Sequence, residues 1–155
     1  MNLLQIHVAL SLIGIATGLV ALYGLLTNRF LKTWTAVFLV TTVLTSVTGF
    51  PLPPFGFDPP RAVGIISLIL LAVAIIAVYG FHLRGHWRWL YLTTGIAALY
   101  LNVFVGVVQT FQKVVFFQTL APTQTEAPFL IAQAAALIAF ILFGLFAVRT
   151  FRPLG

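Results

Sequence analysis

The sequence lacks cysteine and is nearly without acids: its 155 residues carry 8 Lys or Arg and only Asp58 and Glu126 on the other side. The first absence removes disulfides, thiolate metal sites, iron–sulfur clusters and thiol nucleophiles together. The second removes any paired-carboxylate active site inside the apolar stretches, because neither acid falls within one. Charged residues of both signs amount to 6% against 61% hydrophobic residues, far from the balance of a water-soluble globule. The basic excess is scattered instead of forming a stripe that could track phosphates, so nucleic acid is not an expected partner.

What is present is length without charge. Stretches free of Asp, Glu, Lys and Arg run from Met1 to Asn28, Thr33 to Phe57, Ala62 to Leu83, Trp89 to Gln112 and Ala127 to Val148. A helix rises about 1.5 Å per residue and a bilayer core is roughly 30 Å thick, so about 20 apolar residues suffice to cross. The expected fold class is therefore all-α: an integral membrane protein, a bundle of five transmembrane helices in one membrane domain over 1–155. Spans are placed at 3–26, 33–52, 62–82, 88–112 and 127–148, with outer loops at 53–61 and 113–126. Barrel strands are excluded because Ile65 to Val78 is apolar on every side. The first apolar stretch has no preceding Lys or Arg and outruns a secretory core, so it reads as a retained span. Without cysteine, and with Asn2 where myristoylation needs glycine, no lipid anchor is expected.

The charges also orient the bundle. Alternating crossings put Arg29, Lys32, Arg84, Arg88, Arg149 and Arg152 on one side and only Arg61 and Lys113 on the other, a positive-inside pattern. Trp34, Trp87 and Trp89 share the basic side, at headgroup level. The N-terminus is thus expected outside and the C-terminus in the cytoplasm, with reporter fusions at Gly155 and near Asp58 reading opposite sides. The outer loops carry five prolines between Pro51 and Pro60 and two more at Pro122 and Pro128, which predicts rigid, irregular chain. No internal repeat is visible.

Three helix faces carry chemical information. In the first span His7, Ser11, Gly14, Gly18 and Ala21 recur at helical spacing, and Gly14 and Gly18 form a small-residue packing ridge for another helix of the bundle or for a second protomer. The second span has a hydroxyl stripe, Thr35, Thr42 and Ser46, which either lines a path or bonds back to its own helix. The fourth presents Asn102, Gly106, Gln109 and Lys113 on one face, and the fifth offers Gln133 at similar depth. His7, Asn102, Gln109 and Gln133 are therefore the candidate ligand-binding cluster toward the outer side; the bland alternative is interhelical hydrogen bonding.

Catalysis and metals find less support. His82 and His86 have the i, i+4 spacing of a metal pair, but Gly85 and neighbouring arginines put them at an interfacial turn. His7 lies most of a bilayer away, so no two-histidine haem site forms within one chain, and neither a metal nor another cofactor is expected. No span carries an ionisable acid or base in its interior, which disfavours proton-coupled transport and voltage sensing.

The strings QIHVALSLIGIATGL from Gln5, VTGF from Val47, VGIISL from Val63, LYLNVFV from Leu99 and LAPTQTEAPFLIAQ from Leu120 resemble a family of small multi-spanning bacterial inner-membrane proteins that is itself uncharacterised. The resemblance implies bacterial origin and the inner membrane, and carries no activity onto any residue. Together these readings predict a non-enzymatic accessory subunit, or a binder of a lipid, quinone or other poorly charged molecule. Its partners would be the bilayer and a membrane protein or a second copy. The alternatives are a homo-oligomeric channel for a neutral solute or small ion and, more weakly, haem-linked electron transfer.

Overall fold

A computed structural model describes residues 1–53 and 55–153; Pro54, inside the expected outer loop, and Leu154 and Gly155 lie outside the described residues. Those described are helical, with no strand among them. Six α-helices follow in order: α1 Leu3–Leu26, α2 Lys32–Gly49, α3 Pro59–Ile75, α4 His86–Lys113, α5 Val115–Leu120 and α6 Ala127–Thr150.

Local chemistry sets the starts and stops. Asn2 and Gln5 form a reciprocal capping box on α1, each side chain bonding the other's backbone N–H. At the far end Asn28 turns left-handed at φ 58° and the Arg29 N–H returns to the Gly24 carbonyl at 2.7 Å. Asp58 caps α3, accepting from the Arg61 N–H at 3.1 Å, and Pro59 and Pro60 fill the first turn where missing N–H groups cost nothing. That cap starts the helix three residues before the expected 62. By contrast α2 stops at Gly49, short of the expected 52, because Pro51 and Pro53 cannot continue it. The outer stretch 113–126, expected to be irregular, contains the short α5.

The expectation of five spans is met in part. Four helical segments are long and apolar enough to cross a membrane, namely Leu3–Leu26, Pro59–Gly80, His86–Lys113 and Ala127–Thr150. The remaining long helix, α2, falls outside that set: it has 18 residues, opens on Lys32 and spends several positions on threonine and serine.

α3 does not end as an α-helix. Ile76–Gly80 forms a π-helical turn, with the Phe81 N–H reaching the Ile76 carbonyl, and the Leu83 N–H then closes on the Ala77 carbonyl at 2.9 Å. His82 and Leu83 both take left-handed backbone, φ 52° and 60°, at a cost of about 1–2 kcal/mol each for an L side chain. Burial of Leu83 and stacking of Phe81 on Trp87, ring centroids 4.0 Å apart, hold the turn in that shape.

α4 is the hub, touching α1, α3, α5 and α6, while α2 is wedged between α1 and α3. Leu22, Leu25, Phe38, Leu39, Leu71, Leu92 and Leu99 fill the centre. α6 leans on α4 and lightly on α1, and buries only Phe140 and Ala147 along its length.

Candidate functional site

The polar residues within the helices form three separate connections instead of one cluster. His7 Nδ1 lies 3.0 Å from the Thr48 hydroxyl of α2. With the Thr48 hydroxyl also within 2.7 Å of the Leu44 carbonyl, to which it donates, it is placed to accept from the ring. The first turn of α1 is thereby pinned to the last turn of α2.

The second connection is a junction of three helices. Asn102 of α4 donates to the Thr42 hydroxyl of α2 at 3.3 Å. The backbone of α1 makes room for this pair by having no side chain at Gly14, where a Cβ would stand 3.1 Å from Thr42 Oγ1 and 3.2 Å from Asn102 Nδ2. One turn on, Gly18 faces Leu99 and Phe38 still more closely. Both ridge glycines therefore face α2 and α4 of the same chain.

The third lies between α4 and α6, where Gln133 donates to the Phe104 carbonyl at 3.2 Å. Beyond it Gln124 donates to the Val108 carbonyl at 3.1 Å and accepts from Gln112 at 3.4 Å. Two acceptors are left over: Gln109 Oε1 and Gln133 Oε1 are both buried and, among the described residues, neither has a hydrogen-bond partner. Such an oxygen away from water costs about 1–3 kcal/mol. Sequence reasoning found these glutamines by their polarity in an apolar stretch, but a face diagram could not distinguish satisfied carboxamides from unsatisfied ones.

The stripe of Thr35, Thr42 and Ser46 is packed inside the bundle, where Thr42 accepts from Asn102, and the hydroxyls beside it are closed on α2 itself. Thr41, Thr45 and Thr48 donate to carbonyls one turn earlier, and Thr35 and Thr42 are almost fully buried. Ser46 is half-buried on the same face. Where α1, α2 and α4 meet below the stripe, the free space is about 10 Å³ and lined by apolar side chains with Tyr91, too small for a solute.

At the loop ends, Asp58 and Arg61 form a salt bridge at 2.9 Å, and the same guanidinium donates to the Phe50 and Leu52 carbonyls, folding the proline-rich segment over the start of α3. Hydrogen bonds from Thr123, and from the Thr125 N–H, hold the Glu126 carboxyl below its ordinary range. His82 and His86 are exposed, and no group of three or more His, Asp or Glu among the described residues is arranged to hold a metal ion.

At the opposite end from these acids the chain gathers its arginines. Arg88 Nη1 donates to the carbonyls of Phe151, at 2.8 Å, and Val148, at 3.2 Å, taking up acceptors that the end of α6 leaves open. The Arg152 N–H donates to the Asn28 side chain at 2.7 Å. Residues of the α1–α2 turn, the α3–α4 turn and the chain after α6 therefore meet at one end of the bundle. Compared with protein families, curated proteins and solved structures, the chain matches none.

Proposed function

We propose that this is a non-enzymatic multi-pass protein of the bacterial inner membrane that holds a poorly charged, hydroxyl-bearing molecule, such as a lipid or a quinol, against the α4–α6 seam. The observation that carries the reading is the unpartnered buried oxygen at that seam, Gln133 Oε1. It is a buried acceptor between two helices, and a ligand hydroxyl or N–H supplies the missing half of the bond. Gln109 lies on the other face of α4, the one on which Gly106 meets Ile15 of α1 and Asn102 meets Thr42 of α2, so its oxygen is a separate acceptor and not part of the seam.

A Gln133→Leu variant separates this role from interhelical glue. As a ligand site, the variant loses copurifying hydroxyl lipid or quinol about tenfold, while the stability of the ligand-free protein in mild detergent changes by about 1 kcal/mol or less, because the lost bond to Phe104 is offset by removal of a stranded acceptor. If the seam is only glue, the variant melts lower and its lipid and quinol content is unchanged, and the proposal fails.

The same reading has five crossings, with the N-terminus outside. Supporting the fifth, α2 is about 27 Å long by its 18 residues and lacks charge after Lys32. Its threonine hydroxyls bond back, and it lies alongside α1 from the Gly24–Leu31 contact to the His7–Thr48 bond. Reporters fused near Asp58 and after Arg152 are expected on opposite sides, periplasmic and cytoplasmic; the same side for both overturns the topology.

A further inference from the structure

A second candidate site lies at the arginine-rich end, far from the carboxamide seam. Between the α3–α4 turn and the chain after α6 is a cleft of about 470 Å³, lined by His82, Arg84, Gly85, Arg88 and Arg152, with Leu83 and Pro153 as its apolar walls. Three arginines arrive there from two parts of the chain, and among the described residues no carboxylate is in the lining.

The acids are too distant to neutralise them. Asp58 precedes the 22-residue run Pro59–Gly80 and the cleft follows it, so they stand about 33 Å apart along the helix. Glu126 and Arg152 are separated by all 24 residues of α6, about 36 Å. Both spans exceed the roughly 8 Å screening length at physiological salt several times over. The local negative feature is the carbonyl end of α6, and Arg88 already answers it through Val148 and Phe151. Arg84 and Arg152 are exposed, and among the described residues no acid stands near enough to compensate their charge. The N-terminus of α4 adds to it, since no side chain caps its first turn and Gly85, at φ 55°, leaves the approach open.

We propose that this cleft binds a phosphate group, either the headgroup phosphate of an acidic phospholipid or a free phosphate. Two arginines present planar forks matched to phosphate oxygens, and the apolar walls and exposed Phe81 suit a phosphate carried on a lipid.

The test uses the full-length protein in mild detergent, titrated separately with phosphatidylglycerol, phosphatidylcholine and inorganic phosphate. Native mass spectrometry follows lipid retention, and Trp87 fluorescence reports the cleft through its stack on Phe81. Wild type is expected to retain phosphatidylglycerol at least about tenfold better than phosphatidylcholine, and Arg84→Gln/Arg152→Gln to abolish the preference. Arg29→Gln, which removes a basic residue of the same end but outside the lining, leaves it intact. Arg84→Lys/Arg152→Lys keeps the charge without the forks and controls for folding, restoring part of the preference. If inorganic phosphate at millimolar concentration competes in the same variant-sensitive way, the source is free phosphate and the site stands. No preference for the acidic lipid together with no phosphate response, or equal loss in Arg29→Gln, overturns the proposal.

Discussion

Gly18→Leu is expected to leave little folded protein, and even Gly18→Ala to destabilise the bundle by about 1–2 kcal/mol. A Cβ at this position stands 2.5 Å from Leu99 Cδ1 and 2.8 Å from Phe38 Cδ2, against the 3.5–4.0 Å of ordinary carbon contacts. Both neighbours are side chains, and in a loose site they would turn aside. Here Leu99 is 2% and Phe38 3% exposed, and the free space beside them is about 10 Å³, room for tenths of an ångström and not for a methyl group. Overpacking of that kind costs typically 1–3 kcal/mol and more as the side chain grows, while the gain in helix propensity from Gly to Ala returns about 1 kcal/mol at most. Gly14→Ala provides the internal comparison. Its nearest neighbours would be polar tips at 3.1–3.3 Å, so crowding and propensity nearly cancel and the change is within about 1 kcal/mol of neutral. Thermal unfolding of the three variants in one detergent decides the matter. Equal melting of Gly18→Ala and Gly14→Ala would mean that Leu99 and Phe38 move aside at no cost.

The second large effect belongs to Arg88. Replacing it with Met keeps the length of the side chain and removes the donors to Phe151 and Val148, bonds of the charged kind worth about 1.5–3 kcal/mol each where water is excluded. Arg88 is only half-buried and the helix end is near solvent, so the expected loss is at the low end for the pair, about 2–3 kcal/mol. The damage should be local before it is global. Phe151 is buried against Phe30, which meets Tyr91 edge-on, so releasing the carbonyls frees the last turn of α6 from an aromatic seat. Protease accessibility beyond Thr150 is expected to rise at temperatures where α1–α4 remain intact. Arg88→Lys retains a charge but not the geometry for two carbonyls, and half of the loss should return. If Arg88→Met leaves both melting and protease resistance unchanged, the guanidinium is not what holds α6.

Much of this architecture is legible in the chain itself, for reasons that can be named. Capping is local chemistry, yet the expected start of α3 falls three residues late, because the prolines at 59 and 60 count with the outer loop 53–61 instead of with the first turn that Asp58 caps. Small residues at intervals of four announce a close approach, and Gly14 and Gly18 make it. What fails is whatever depends on partners distant in sequence. His7 shares polarity with the glutamines, but its bond goes to Thr48, 41 residues away and on a helix the face argument treated separately. The arginine cleft joins residues 82–88 to residues 152 and 153, and nothing in either segment refers to the other. The π-turn at Ile76–Gly80 escapes periodicity because the stretch is apolar on all sides, which conceals a change of helical pitch. α2 is ambiguous for a physical reason: threonine counts as polar until its hydroxyl has bonded back to the helix, after which it behaves as a small apolar residue.

The light attachment of α6 bears on how the protein is made. Synthesis runs from the N-terminus, so α1 to α4 can settle around Leu71, Leu92 and Leu99 while α6 is still inside the ribosome. The last helix then meets a finished surface and adds little to it beyond Phe140, Ala147 and the bonds at its two ends. In hydrocarbon, acyl chains wet the remaining sides of α6 as well as another helix would. Its docking is thus a reversible step governed by two polar clasps, and a nascent chain halted before Ala127 would already carry the organised part of the molecule.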